Sequence, residues 1–325
     1  PTQPSFAVVA VVSAKDSTEQ LLRLRESLSI QSVSPKMVFL LIDGDDAFLK
    51  AAQVEFETSG ISCEIFSVRD SDSAGAVLAD VMSRCDEDYL VMLDRGTILH
   101  PYALFLSAKL ASAEAYDLLY SNSARLTSDL RSIESFHRRA EVDRYTILSM
   151  NPVGNSLVIG ANVAKRIAAD AELRSVPASL VSWFIATDVL ARSERVRHLP
   201  LAAFVSISAE SEPDLSRVEN LEAVDRFLKR YAAACQIPLE MVNPVPGDEA
   251  SSRPILRPAE GRVQVVIPFR DQAALTIQCV KSLELQDCAK DLEVTLVDNN
   301  SSPKERSAVE AALAASKFAH SSAIV

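Results

Sequence analysis

The sequence predicts an α/β protein built on a mostly parallel central sheet, and three observations carry that prediction. Short Val- and Leu-rich runs alternate with amphipathic helical stretches over residues 6–93. The opening strand–helix–strand unit returns near the C-terminus. In both copies the second strand ends on an aspartate. Alternation of this kind lays helices over a parallel sheet, because each parallel connection must cross back over a sheet face.

Phe6–Val12 (FAVVAVV) is short, Val-rich and without polar alternation, the pattern of a strand buried on both faces. Asp16-Ser-Thr-Glu19 supplies a cap residue and a first-turn acid, and Leu21, Leu22, Leu24, Leu28 and Ile30 give the helix its apolar face. Met37–Ile42 is a second buried strand ending on Asp43-Gly44-Asp45-Asp46. The pattern continues with a helix over Ala47–Thr58, a strand over Cys63–Val68, a helix over Ala74–Arg84 and a strand over Tyr89–Leu93. After Pro101 the reading gives a helix over Tyr102–Ala113 and a short strand over Leu118–Asn122. Ser123–Asp143 is then polar and irregular, with Arg125, Arg131, His137, Arg138 and Arg139. A strand over Asn155–Gly160, helices over Val163–Ala171 and Leu180–Arg192, and an extended stretch over Val196–Ser206 follow. Leu221–Cys235 is an amphipathic helix with Leu221, Val224, Phe227, Leu228 and Tyr231 on one face. Pro238–Gly261 holds five prolines and little periodicity, which reads as a linker. The expected organisation is a first domain over 1–240, a linker over 241–261 and the front of a second domain over 262–325.

At 325 residues the chain exceeds the ~250–300 at which single cores stop growing. Its 48% hydrophobic and 24% charged residues suit a globular protein with a sizeable core. The net charge of −11 argues against a nonspecific nucleic-acid binder, which needs clustered Lys and Arg. The five cysteines are odd in number and lack C-x-x-C spacing. With Cys279 between Gln278 and Val280, they read as buried free thiols of a reducing compartment. No apolar run approaches the ~18 residues of a membrane span and no signal peptide is visible. The chain starts at Pro1 and so reads as a processed or trimmed product. The four histidines show no H-x-x-x-H spacing, against a zinc enzyme, and no dinucleotide, P-loop or G-x-S-x-G motif is present.

The repeat is the more specific signal. Val263–Ile267 matches Val8–Val12, and Asp271 matches Asp16 at a shift of 255 residues. The same shift takes Ser27-Leu28 to Ser282-Leu283, Gln31 to Gln286, Leu41 to Leu296 and Asp43 to Asp298, without a gap. Such matches at one offset read as an internal duplication. In parallel α/β sheets ligands bind beyond the carboxyl ends of the strands, where Asp16, Asp43, Asp271 and Asp298 all lie. A carboxylate there can accept a hydrogen bond from a base N–H. Taken singly, each aspartate is equally an ordinary helix cap or turn residue.

Val265-Val-Ile-Pro-Phe-Arg-Asp271, Cys279-Val-Lys-Ser-Leu283, Gln286 and Val294-Thr-Leu-Val-Asp-Asn-Asn-Ser301 resemble the opening of the family 2 glycosyltransferases, which have the GT-A fold. The resemblance covers Gly261–Val325 and implies that Pro268, Arg270, Asp271, Asp298 and Asn299 form a donor-nucleotide pocket. The first domain resembles the same family over its length, which implies Asp16 and Asp43 at the donor nucleotide and Asp94 as a ligand for Mg²⁺ or Mn²⁺. It also departs from the family pattern. Gly96 and Thr97 stand where further acids are expected, and Asn122 and Ala124 replace acids in Leu118-Leu-Tyr-Ser-Asn-Ser-Ala124. Ala186 stands at the position of the catalytic base, leaving Asp188 as the fallback base.

What the resemblance implies is sugar transfer from a nucleoside-diphosphate sugar to a glycan or lipid-linked glycan of a bacterial surface polysaccharide. It also implies a cytoplasmic location, with peripheral contact to a membrane-bound assembly complex at the inner face. The replaced acids imply an alternative, in which the first domain is a non-catalytic scaffold or glycan-binding module supporting an active second domain. Five further residues read as structural. His137, Arg138 and Arg139 form a solvated charged loop before they form a phosphate site; Trp183 packs in the core; His198 is a strand residue.

Overall fold

Successive residues of β1 (Phe6–Ser13) enter different apolar clusters, Phe6, Val8, Ala10 and Val12 on one face and Ala7 and Val9 on the other. A strand buried this way sits mid-sheet. In this computed structural model β1 pairs in parallel with β2 (Met37–Asp43) and with β4 (Tyr89–Leu93), and β2 pairs in parallel with β3 (Cys63–Ser67). The structure describes residues 3–14, 18–68, 74–127, 129–192, 195–207, 214–257, 261–318 and 320–324. The chain divides into two units, Pro1–Arg257 and Pro258–Val325.

In the first unit α1 (Thr18–Ser29), α2 (Asp46–Ser59) and α4 (Ala103–Ala113) cover the Phe6 face. The helices α3 (Ala74–Arg84), α5 (Ala161–Ala168), α6 (Val181–Ala191) and α7 (Val218–Ala234) cover the Ala7 face. The ends of α2 show the local logic. Asp45 accepts a hydrogen bond from Phe48 N–H (2.8 Å) at its start, and Gly60 takes the left-handed φ of 73° that stops it.

The remaining strands are β5 (Thr97–Leu99), β6 (Leu118–Leu126), β7 (Ile133–His137), β8 (Leu157–Gly160) and β9 (Val196–Ser206). The sheet order is β3-β2-β1-β4-β8-β6-β9-β5, with β7 also on β6. β8 is antiparallel to β4 and β6, β9 is parallel to β6, and β5 is antiparallel to β9.

Two expectations are corrected. Ser123–Asp143 is not wholly irregular: β6 continues to Leu126 and forms an antiparallel pair with β7. The stretch hid from a hydrophobic pattern because Ser121, Asn122 and Ser123 are buried polar residues. The segment expected as a linker, 241–261, carries most of a hairpin of β10 (Leu239–Val245) and β11 (Asp248–Leu256). Leu239 and Val242 join the core, and Ser252 Oγ donates to Leu148 O (2.9 Å). The prolines Pro244 and Pro254 misled, since a two-stranded ribbon tolerates residues that a central strand does not.

The second unit is a parallel sheet in the order β12 (Val263–Phe269), β13 (Leu292–Asp298), β14 (His320–Ile324), with α8 (Ala273–Glu284) and α9 (Pro303–Ala314). Phe269, Val294, Leu296, Val309 and Leu313 form its core. The shift of 255 carries α1 onto α8 and β2 onto β13 residue for residue. Gln31 Nε2 donates to Ser27 O (2.9 Å) and Gln286 Nε2 to Ser282 O (3.2 Å). The strand pairs differ by one residue in register: Asp43 lies opposite Ser13, but Asp298 lies opposite Phe269 rather than Pro268.

The thiols also differ from expectation. Cys85 is buried, Cys63 and Cys235 are half-buried, and Cys279 and Cys288 are exposed. On α8 it is Val280, about 100° around the helix from Cys279, that enters the core. Among the described residues no helix is long and apolar enough to cross a membrane.

Candidate functional site

The parallel strands β1, β2 and β4 bring three polar residues to one edge of the first sheet. Ser13 ends β1, and its buried hydroxyl donates to the exposed Asp43 Oδ2 (3.4 Å) at the end of β2. Asp94 follows β4. Antiparallel β8 delivers the loop Asn151–Ser156 to it: Asp94 N–H donates to Ser156 Oγ (3.0 Å), and Asn155 Nδ2 donates to Asp94 Oδ2 (3.4 Å). Asn155 is held in turn. Its Oδ1 accepts from Asn151 Nδ2 (3.2 Å) and from Ser182 Oγ (3.2 Å), while Asn151 Nδ2 also donates to Ser182 Oγ (2.9 Å). Ser182 lies in the first turn of α6, so a polar chain runs from that helix to the carboxylate.

Asp94 and Asn155 stand between two small cavities. One, about 10 Å³, is lined mostly by polar residues, Asp94, Thr97, Ser121, Ser123, Arg139, Asn155, Ser156 and Ser206, with Phe204. It has room for about one water. The other, about 50 Å³, lies against Val9, Val11, Leu41, Met92 and Val181.

Arg139 reaches this site although its neighbours His137 and Arg138 are exposed. Asn122 Oδ1 accepts from Arg139 N–H (3.0 Å) and lies 3.1 Å from His198 Nε2. Because the backbone N–H can only donate, the Asn122 atom is oxygen and His198 Nε2 carries its proton. The His198 ring stacks on Tyr120 at 4.8 Å. Burial lowers the His198 pKa, with Glu141 opposing and Arg139 adding to the shift. Under the guanidinium lies Gly154, with φ 77°; a Cβ there would sit 2.4 Å from Arg139 Nη2.

The expected site residues are only partly brought together. Asp16 lies outside the described residues. Asp43 and Asp94 share a sheet edge, but Asp188 belongs elsewhere. Its Oδ2 accepts from Arg166 Nε (3.0 Å) and Nη2 (2.8 Å), and its Oδ1 from Arg192 Nε (3.4 Å). Six residues of helix at ~1.5 Å each put it ~9 Å along α6 from Ser182. Ala186 is buried in the core. The residue of α6 joined to Asp94 through Asn155 is Ser182, while Asp188 is engaged in two ion pairs further along the helix. Trp183 is buried, with Nε1 donating to Ile147 O (2.8 Å), and serves packing.

In the second unit the loops after β12 and β13 meet. Asp271 N–H donates to Ser301 Oγ (2.7 Å), and Asp271 Oδ1 accepts from Ser302 N–H (2.8 Å) at the start of α9. Glu305 Oε2, in the first turn of α9, accepts from Ala273 N–H (2.6 Å) at the start of α8, while Ser302 caps α9 with its own side chain on Glu305 N–H (3.5 Å). Asp271 and Gln272 are both left-handed, φ 50° and 53°. Asp298 is buried, and its hydrogen bonds with the Ser301 side chain and, second, from the Ser301 N–H (2.9 Å) hold its carboxyl below the usual carboxylate range against the opposing effect of burial. Asn299 N–H donates to Phe269 O (2.8 Å), while the Pro268, Arg270 and Asn299 side chains are exposed.

Asp94 is the one carboxylate of this lining among the described residues, so Mg²⁺ or Mn²⁺ there would draw most of its oxygen ligands from water and a diphosphate. Among the described residues no three His, Cys, Asp or Glu gather where they could hold a metal. Gly96 turns tightly at φ 67° and brings no side chain, Thr97 brings a neutral hydroxyl, and the Arg139 guanidinium occupies the same lining.

No protein-family model and no curated protein sequence matches the chain. Solved structures do. TarS 1–349 of S. aureus in complex with UDP-GlcNAc is similar with a TM-score of 0.53 at 14% identity, over 71% of this chain and 66% of that one. The structure of S. aureus TarS gives 0.51 at 12% identity, over 70% of this chain and 39% of that one. A Pyrobaculum calidifontis mannosyltransferase in complex with GDP-Man and Mn²⁺ gives 0.49 at 10%, over 71% and 65%. The fold is that of the GT-A glycosyltransferases. The chain spans well under half of the TarS chain.

Sequence reasoning missed Asn151, Asn155, Ser156 and Ser182 and placed Arg139 in solvent. The signal was present in Asn151-Pro-Val-Gly-Asn155-Ser156, a turn-rich stretch opening directly onto the buried strand Leu157–Gly160.

Proposed function

We propose that the chain is part of a glycosyltransferase that moves a sugar from a nucleoside-diphosphate sugar to a bacterial surface glycan, with the first unit holding the donor. The observation that carries this reading is Asp94, fixed at the end of β4 by Asn155 and Ser156 beside Asp43 and Ser13 at the ends of β2 and β1. On a GT-A fold this edge is where a nucleotide meets the strand ends. Ser13 and Asp43 face the base and ribose, and the Asp94 cavity faces the phosphates. The repeat of α1 and β2 in α8 and β13 supports reading the second unit as the opening of a second such domain, with Asp271 and Asp298 as its candidate nucleotide contacts.

A specific observation favours a second reading for the first unit alone. The helix α6 presents Ser182 rather than a carboxylate to Asp94, and a serine is a poor acceptor for a sugar hydroxyl's proton. The first unit then binds donor or glycan without turning it over. Calorimetric titration with UDP and GDP, followed by a donor-hydrolysis screen, separates the cases. Binding with hydrolysis supports the enzyme, binding alone supports a non-catalytic donor-binding module, and absence of binding refutes both and leaves only a glycan-binding module.

A further inference from the structure

We propose that Arg139, in place of a divalent cation, supplies the positive charge that meets a diphosphate at the Asp94 cavity. The inference rests on the nucleotide-sugar reading above and adds the group that contacts the phosphates. Three observations carry it.

The first is that Arg139 is a built feature of the site. Its backbone N–H is tied to Asn122 Oδ1 (3.0 Å), and Asn122 is itself held by His198. Its guanidinium lies over Gly154, where any Cβ would come within 2.4 Å of Nη2, 2.5 Å of Cζ and 2.8 Å of Nε. The space above Gly154 is shaped to a planar group, and Gly154 at φ 77° is a position that favours glycine on backbone grounds as well.

The second is charge. Among the described residues Asp94 is the one carboxylate lining the polar cavity, and Arg139 balances it. A divalent cation beside Asp94 would share the cavity lining with the Arg139 guanidinium, a like charge, and find one protein carboxylate there. A diphosphate meets the opposite situation. A guanidinium stays charged at any working pH and offers forked N–H donors that match two phosphate oxygens at once.

The third is the lining. Thr97, Ser121, Ser123 and Ser156 surround Asp94 and Arg139 with hydroxyls, which suit phosphate oxygens or a bridging water. The cavity's 10 Å³ admits about one water, so the phosphates sit at its mouth with Arg139 as the contact.

The test is calorimetric titration of the whole chain with UDP and with GDP, in EDTA and in Mn²⁺, for wild type, Arg139→Ala and Arg139→Lys, each checked for folding by circular dichroism. The expected result is binding in EDTA that changes by less than about twofold in Mn²⁺. Affinity should fall about tenfold or more in Arg139→Ala and by less in Arg139→Lys, which keeps the charge without the fork. Binding that appears only with Mn²⁺, or that is equal in wild type and folded Arg139→Ala, overturns the role of Arg139 while leaving the nucleotide reading in place. No binding of either nucleotide in any buffer overturns that reading, and this inference with it.

Discussion

Replacing Gly154 with alanine disturbs the seat of Arg139 while leaving its charge in place, and the cost has two separable parts. The backbone part comes from φ 77°, where a residue with a Cβ costs ~1–2 kcal/mol relative to glycine. The steric part comes from the new methyl, 2.4 Å from Nη2 and 2.5 Å from Cζ. Ordinary contact is about 3.5 Å, so the guanidinium must move by roughly 1 Å, leaving its preferred rotamer for ~0.5–1.5 kcal/mol. The total expected is ~1.5–3.5 kcal/mol in wild type. In an Arg139→Ala background only the backbone part, ~1–2 kcal/mol, should remain. Urea unfolding followed by the fluorescence of Trp183, the chain's single tryptophan and fully buried, reads all four proteins. Equal costs in both backgrounds, within the ~0.3–0.5 kcal/mol by which independent sites add, would refute the contact between Gly154 and the guanidinium.

Other consequences follow from the same geometry. Asp188→Asn should destabilise the protein by ~1–3 kcal/mol, between the exposed and buried limits for ion pairs, and leave UDP and GDP affinity unchanged. Loss of donor turnover with stability intact would instead restore Asp188 as a base. Asp271→Ala should release the Ser302 N–H at the start of α9, speeding its hydrogen exchange by roughly fivefold or more for a hydrogen bond worth ~1 kcal/mol; unchanged exchange there would remove that contact. Toward a disulfide reagent at pH 8, Cys279 and Cys288 should react first. Cys63 and Cys85, whose thiols burial pushes up to about 12, should wait for unfolding. His198 titrates in the folded protein below its ordinary 6.5, so the folded state holds fewer protons in that window. Its contribution to stability is therefore complete above about pH 6.5 and is lost as pH falls through the folded pKa, and His198→Gln should flatten that part of the stability curve.

The fold was legible where burial writes itself into composition. The central strands Phe6–Ser13, Met37–Asp43 and Tyr89–Leu93 are apolar because both faces are covered, and the helices between them carry one apolar stripe each. It was illegible where strands are polar or short. Ser121, Asn122 and Ser123 are buried while paired with β9, and Ser123 with β7 as well, which no period of two reveals. The hairpin β10–β11 depends on docking against α7 and Leu148, a long-range contact that its proline-rich sequence conceals. At the site, Asp43 and Asp94 could be found from their strands, since a strand end fixes where a side chain emerges. Asn155, Ser182 and Arg139 come from a loop, a helix start and a hairpin end that only the folded sheet brings to one place. Asp188 is legible as an acid on α6, but the sequence does not show that Arg166 and Arg192 pair with it about 1.7 turns along the helix from Ser182.

The most direct measurement is a crystal structure of the chain soaked with UDP or GDP in EDTA. The account predicts a nucleotide across the ends of β1, β2 and β4, its base toward Ser13 and Asp43 and its diphosphate within hydrogen-bond distance of Arg139. A nucleotide bound away from the Asp94 cavity, or held there only when Mn²⁺ is supplied and without contact to Arg139, would contradict it.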